Sequence, residues 1–239
     1  MKSIFLCPPQ YKNAERLGGV FIDNSCIRFT NTVKLLGVHM DSFLTFEKHV
    51  SSVTSTSAYH LKNIEKIKRY LTKEDTEKLV HAFISTKLDY CNSLLYGLNV
   101  SESSKLQSVQ NRAARVVLGL SPYVSVTDDM LDDLHWLKVD QRIIYKLLLL
   151  VHKFFINSGP HWFSRQLMII DYDRRLLQKF YFNSKSGRRS FSYAAPRFWN
   201  SLNEDIRMLN ETIKFKANIK TVLYTNANNI VNAGHGYAM

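Results

Sequence analysis

Cysteine is scarce in this chain. Cys7, Cys26 and Cys91 are its only three, scattered without a CxxC pair and without histidines at metal-ligand spacing. That excludes a disulfide framework and a zinc knuckle and makes a reducing compartment the simpler setting. A nuclear or cytoplasmic protein is expected, not a secreted one. Long apolar runs are missing too. The run from Ile4 to Cys7 stops at Pro8-Pro9 and is too short for a signal peptide. The most apolar stretch, Ile143 to Ile156, contains Lys146, His152 and Lys153 and falls short of a membrane span. A soluble chain with no membrane partner follows. The third shortage is of acid: 20 Asp plus Glu face 32 Lys plus Arg, a net charge of +12. Such an excess draws polyanions, either nucleic acid or an acidic surface.

What is present is an ordinary globular composition, 45% hydrophobic in 239 residues, enough for one or two cored domains. The first forty residues read as strands: Ser3 to Cys7, Gly19 to Asp23, Cys26 to Phe29 and Thr32 to Val38. Asp23-Asn24-Ser25 supplies hairpin-turn chemistry between the second and third. From about His49 the period becomes helical, with Val50, Val53, Ser57, Leu61, Ile64 and Leu71 forming a one-sided stripe. Thr72 with Asp75 opens a second helix, which carries Leu79, Val80, Phe83, Ile84 and Leu88 inward and runs to about Gly97. Ser101 or Ser103 caps a third, with Leu106, Val109, Ala113, Val116 and Val117 as its stripe and Gly119 and Pro122 as its stop. A short helix over 127–136 leads into Asp140 to Ile156, apolar almost all round and so the expected central helix. Gly159-Pro160 ends it. Two more helices are expected over Ala194 to Leu202 and Glu211 to Tyr224, before an Asn/Gly/Ala-rich tail at 225–239 that is expected to be disordered.

The fold class is therefore α+β and predominantly helical. A small antiparallel sheet leads to a helical bundle and then to a mostly helical carboxy-terminal domain, with boundaries at 1–41, 42–120 and 121–224.

Asp128, Asp129, Asp132 and Asp133 are the one carboxylate cluster tempting as a metal site. Acids in a helix's first turn complement its dipole, and that reading is preferred; no metal is assigned. Cys91 is read as a small core residue and His135-Trp136 as a helix-end core pair, rather than as a nucleophile and a stacking site. Between Arg174 and Arg197 there is no Asp or Glu. Arg174, Arg175, Lys179, Lys185, Arg188, Arg189 and Arg197 alternate there with Phe180, Tyr181, Phe182, Phe191 and Tyr193. Cations with stackable rings can bind a nucleic-acid strand. Equally, the rings can be core and the charges solvated.

Six stretches carry a resemblance. Val33-Lys-Leu-Leu-Gly-Val-His-Met-Asp41 comes first, then Thr86-Lys-Leu-Asp-Tyr-Cys-Asn-Ser-Leu-Leu-Tyr-Gly97. Next come Lys105-Leu-Gln-Ser-Val-Gln-Asn-Arg-Ala-Ala-Arg115 and Leu134-His-Trp-Leu137. Ser190-Phe-Ser-Tyr-Ala-Ala-Pro-Arg-Phe-Trp-Asn-Ser-Leu202 and Phe215-Lys-Ala-Asn-Ile-Lys-Thr-Val-Leu-Tyr224 complete the set. In order and spacing these resemble LINE-type, jockey-like non-LTR retrotransposon reverse transcriptases, downstream of their catalytic motifs. The likeness runs from about Lys2 to Tyr224. It departs at Lys138 and Asn203, each standing where the family usually has proline.

The resemblance implies a palm-edge remnant, a thumb and a carboxy-terminal domain of an RNA-directed DNA polymerase. The family's aromatic-Ala-Asp-Asp turn, which binds Mg²⁺ in the complete enzyme, does not occur in this sequence. No cofactor and no catalysis are thus expected of the chain alone, and the upstream polymerase region is an implied partner. Lys2 is the expected counterpart of the lysine that follows the catalytic turn. Leu36 and Gly37 take the place of the element that grips the primer end. Lys62, Lys66, Lys68, Arg69, Arg112 and Arg115 are placed to face the template-primer backbone, and the segment with Arg174, Arg175, Lys179, Lys185, Arg188 and Arg189 is a second surface for RNA or an RNA–DNA hybrid. The competing readings are a helical protein–protein interaction module and a translated transposon relic without a selected role.

Overall fold

A computed structural model of the chain describes residues 3–6, 19–23, 25–127, 131 and 133–225. The expected sites at Lys2, Cys7, Asp128, Asp129 and Asp132, and the tail beyond Thr225, lie outside these residues. The fold is α+β and mostly helical, as the periodicities implied. Among the described residues no helix is long and apolar enough to cross a membrane. The chain divides into two compact units, Met1–Cys91 with Leu98–Val116, and Asn92–Gly97 with Val117–Met239.

In the first unit, β1 (Gly19–Ile22) pairs antiparallel with β2 (Ser25–Arg28), and β3 (Thr32–Leu35) with β4 (Val38–Asp41). The hairpin expected around Asp23 is present. The rest of the strand reading is corrected: among the described residues of this unit the strands pair as two separate two-stranded hairpins instead of one small sheet. Residues 32–38 are not one strand either, because the chain reverses at Leu36-Gly37, where both φ angles are positive (46° and 85°). Such a pair forms the primed two-residue turn whose twist suits a hairpin. Leucine at the first position hides this turn from a sequence reading, since that conformation ordinarily selects Asn, Asp or Gly.

Asp41 then ties the hairpin to the first helix. Its carboxylate accepts the backbone N–H groups of Phe43, Thr45 and Phe46 at 3.1, 2.9 and 2.7 Å. Burial alone would raise its pKa, but these donors outweigh burial and hold it below the usual carboxylate range. Helix α1 (Glu47–Ile67) buries Val50, Ser57, Leu61 and Ile64 of the expected stripe; Val53 and Leu71 are half-buried.

Helix α2 (Lys73–Val80) is capped as foreseen. Thr72 Oγ1 accepts Asp75 N–H at 3.1 Å and donates to the Asp75 carboxylate at 2.9 Å. The helix widens into a π turn at His81–Ser85, continues as α3 (Thr86–Asp89) and stops there, not near Gly97. Tyr90 turns extended and Cys91 takes a positive φ of 53°, so Cys91 is a half-buried turn residue and not helix core. The widened turn also brings Phe83 outward, 43% exposed and stacked on His60. Helix α4 (Val100–Leu118) buries Leu106, Val109, Ala113, Val116 and Val117 as its periodicity required. Its cap is Asn99, whose Oδ1 accepts Glu102 N–H at 2.8 Å, in place of either serine proposed from sequence.

The second unit is built around α5 (Val139–Phe155), the expected central helix, which buries Ile143, Ile144, Leu147, Leu148 and Val151. The 3₁₀ turn at Asn92–Leu95, α7 (Phe191–Asn200) and α9 (Thr212–Thr225) pack on it. Trp136 is buried in this unit, while His135 is exposed. Between α5 and α7 lie a 3₁₀ turn at His161–Arg165, the hairpin β5 (Ile169–Asp171) with β6 (Leu176–Leu177), and a helical turn, α6 (Lys185–Arg188). The hairpin has no clear trace in the sequence. Asn200 holds its inner edge as a strand would, with Oδ1 accepting Leu177 N–H at 3.0 Å and Nδ2 donating to Leu177 O at 2.7 Å. A further turn, α8 (Glu204–Arg207), precedes α9.

Candidate nucleic-acid interface

The hairpin tip and α1 build the first surface, in the first unit. Leu36 stands 82% exposed with a positive φ. A non-glycine residue in that conformation costs on the order of 1 kcal/mol, and an exposed leucine regains little of it by burial. The hairpin turn itself requires the positive φ, but Asn, Asp or Gly would meet it without that cost, so a leucine here makes the tip a candidate working position. The tip is held from behind: the Tyr90 hydroxyl donates to the Leu36 carbonyl at 2.6 Å. The Tyr90 ring also lies where a Cβ on Gly37 would meet it at 3.4 Å. Two stretches of the family resemblance, around Leu36-Gly37 and around Tyr90, thus meet in one contact. Nothing in the sequence alone pairs them.

Between the tip and α1 opens a groove of about 320 Å³, lined by Gly37, His49, Ser52, Val53, Thr56, Thr86, Lys87 and Tyr90. Its walls offer hydroxyl groups and a lysine. Burial, reinforced by the charges of Lys34 and Lys48, lowers the pKa of His39. Burial and then His39 lower that of His49. His49 is 5% exposed and its Nδ1 makes no hydrogen bond. The groove's positive charge at neutral pH therefore comes from lysine, not histidine.

From Ser52 the groove leads onto the outer face of α1. Ser52, Ser55, Tyr59, Lys62 and Lys66 follow at three- and four-residue steps, with Arg69 and Tyr70 after them, and all are exposed. They lie opposite the Val50–Leu61–Ile64 core face, and the one acid beside them is Glu65, three residues from Lys62 and four from Arg69. At roughly 1.5 Å per residue, the stretch from Ser52 to Lys66 spans about 21 Å. Arg69 lies 4.6 Å over the ring of Tyr70. Glu65, at the edge of this face, is engaged by Arg112, which donates to both of its oxygens at 3.1 and 2.9 Å. Arg112 is thus committed to an ion pair within the protein. Arg115 and Lys68 are half-buried. The outward hydroxyl-aromatic-lysine series was legible as the opposite phase of the apolar stripe, but the sequence reading named only its basic end.

In the second unit the cations of 174–197 separate into two kinds. Arg175 sits at φ 50° and donates to the carbonyls of Arg207 and Leu209 at 2.9 and 3.2 Å and to Asn210 Oδ1 at 2.5 Å. Arg189 donates to Tyr96 O at 3.2 Å and packs on Gly97, where a Cβ would meet its side chain at 2.7 Å. Arg188, though exposed, donates through Nε to Phe182 O. Arg174, Lys179 and Lys185 are exposed. Arg207, absent from the sequence-derived set, is 6% exposed and donates to Arg174 O, Leu202 O and Asn200 O at 3.1, 2.5 and 3.5 Å.

No protein-family model matches the chain, and no curated protein and no solved structure matches it significantly.

Proposed function

We propose that this chain is the post-catalytic part of a LINE-type reverse transcriptase and that it binds an RNA or RNA–DNA backbone along the outer face of α1. The observation that carries the binding reading is the exposed hydroxyl-aromatic-basic series from Ser52 to Arg69, whose one neighbouring acid, Glu65, is paired with Arg112, joined at Ser52 to the groove beneath a strained hairpin tip. Lysines with free reach neutralise phosphates and release counterions, and hydroxyls bond to phosphate oxygens without reading sequence.

The family reading rests on the six sequence stretches, and the backbone φ at the two departures is compatible with it. Lys138 and Asn203, which stand where the family has proline, have φ of −58° and −59°, within the range a proline ring imposes. In this reading the catalytic carboxylates and their Mg²⁺ belong to the upstream polymerase region, and the chain alone is not an enzyme. Its setting is nuclear or cytoplasmic.

The test is binding of a blunt RNA–DNA hybrid by the full chain across a salt series. Steep salt dependence is expected, and the joint Lys62→Ala, Lys66→Ala, Arg69→Ala variant should lower the log–log slope by about 2 to 3. Binding flat in salt, or unchanged in the variant, overturns the proposal. The protein-interaction alternative is favoured by one observation, the exposed Phe21 and Leu36 of the two hairpins (75% and 82%). It expects Phe21→Ser to abolish association with the upstream polymerase region while leaving hybrid binding intact.

A further inference from the structure

Tyr181 is 84% exposed, the largest exposure among the rings of its segment. On one side of it lies Arg197, whose guanidinium carbon is 5.6 Å from the Tyr181 ring centre and 4.1 Å from that of Tyr193. Unlike Arg175, Arg188, Arg189 and Arg207, Arg197 donates to no carbonyl. Its Nε is buried without an acceptor, and among the described residues its guanidinium makes no hydrogen bond or ion pair. An arginine cannot shed its charge, so a half-buried one with no anion is stabilised only by the ring faces around it. Behind it Tyr193 is buried, so the cation sits on a fixed aromatic floor. From Arg174 to Asn203 there is no acid to neutralise it, and the exposed Lys179 and Lys185 add charge nearby in sequence.

We propose that Tyr181, Arg197 and Tyr193 form a binding site for one nucleotide of a single strand, the base stacking on Tyr181 and its phosphate drawn to Arg197. This rests on the nucleic-acid reading above but assigns the second unit a different form of the ligand. A duplex keeps its bases stacked on each other, so an exposed tyrosine gains nothing from it, whereas an unpaired base has a free face. An acidic peptide would answer the arginine but leave the exposed ring unused.

The experiment measures, with the full chain at fixed salt, the affinity for a short oligouridylate and for a blunt RNA–DNA hybrid. Tyr181→Ala should weaken oligouridylate binding about tenfold with an unchanged salt slope, and Tyr181→Phe should restore it, because stacking needs the ring and not the hydroxyl. Hybrid binding should stay within about twofold. Arg197→Gln should weaken the oligouridylate and lower its slope by about one. Tyr181 is a surface residue, so its variants leave the core intact. Oligouridylate binding unchanged in Tyr181→Ala overturns the site, as does equal competition by polyglutamate that is lost in the same variants. If the α1 variant weakens the hybrid while Tyr181→Ala changes nothing, only this inference fails. If neither ligand binds with salt dependence, both readings fail.

Discussion

The two units use their positive charge in opposite ways. In the first, Lys62 and Lys66 extend from a helix whose opposite face makes the core, Arg69 from the 3₁₀ turn that follows it, and their charges meet solvent. In the second, Arg175, Arg189 and Arg207 turn inward and donate to main-chain carbonyls of residues distant in sequence. The difference follows the chemistry of the two side chains. A guanidinium carries several fixed donors and is weakly hydrated, so it can bridge carbonyls in a partly buried place, whereas an ammonium holds its water and stays outside. A net charge of +12 therefore overstates the surface available to a polyanion. Within the basic segment near residue 180, Arg175 and Arg189 are internal scaffolding.

The comparison breaks most sharply at Arg207. Replacing it with Ala leaves the carbonyls of Arg174, Leu202 and Asn200 without their donor, and a loss of about 3–4 kcal/mol is expected in urea unfolding. Arg207→Lys should recover little of that, because one ammonium cannot span the same acceptors. A near-neutral result for either would show that the inward arginines are incidental.

Next is the pH dependence of the same unit. His152 is fully buried, stacked on Phe215 at 4.0 Å, and burial followed by the charge of Arg175 lowers its pKa to about 4. A base whose folded pKa lies below its unfolded value favours folding in the neutral form. Its contribution is complete above about pH 6.5 and falls away as pH drops from there toward 4. About 3 kcal/mol is the expected upper range of that loss. His152→Phe keeps the stack and should flatten this part of the stability–pH curve, and an unchanged curve would assign the dependence to other groups.

In the first unit the expected effects are smaller and of another kind. Leu36→Asn puts a residue suited to positive φ at the hairpin tip and should stabilise by up to about 1 kcal/mol while weakening hybrid binding. A gain in both would remove the argument that strain at the tip serves a ligand. The joint Lys62, Lys66 and Arg69 variant should shift stability by no more than about 0.5 kcal/mol, since these groups hold nothing in place. Smallest in consequence is Asn203→Pro. Among the described residues the Asn203 N–H has no acceptor and φ is already −59°, so thermal unfolding should show a gain of about 0.4–1 kcal/mol. Lys138→Pro should not match it, because the Lys138 N–H donates to Gln141 Oε1 at 2.8 Å.

Much of the fold was legible because it depends on neighbours in sequence. The buried stripes of α1 and α4, the all-round apolar α5, the Thr72 cap and the helices at 191–200 and 212–225 all follow from local spacing and side-chain chemistry. The misreadings share a cause. The turn at Leu36-Gly37 is imposed on a residue that does not favour it and is secured by Tyr90, 54 positions away. The break after Asp89 and the outward swing of Phe83 come from a widened helical turn, which no apolar periodicity announces.

By itself the sequence determined the helical periodicity, the excess of positive charge and the family resemblance, because each is a property of residues counted along the chain. Which cations face a ligand was decided only by the tertiary structure. Arg207 finds Arg174 O at a separation of 33 residues, and Arg175 finds Leu209 O at 34. Arg197 stands between two tyrosines with no acceptor of its own. A guanidinium's fate depends on which carbonyls come within hydrogen-bond reach, and that reach is set by packing.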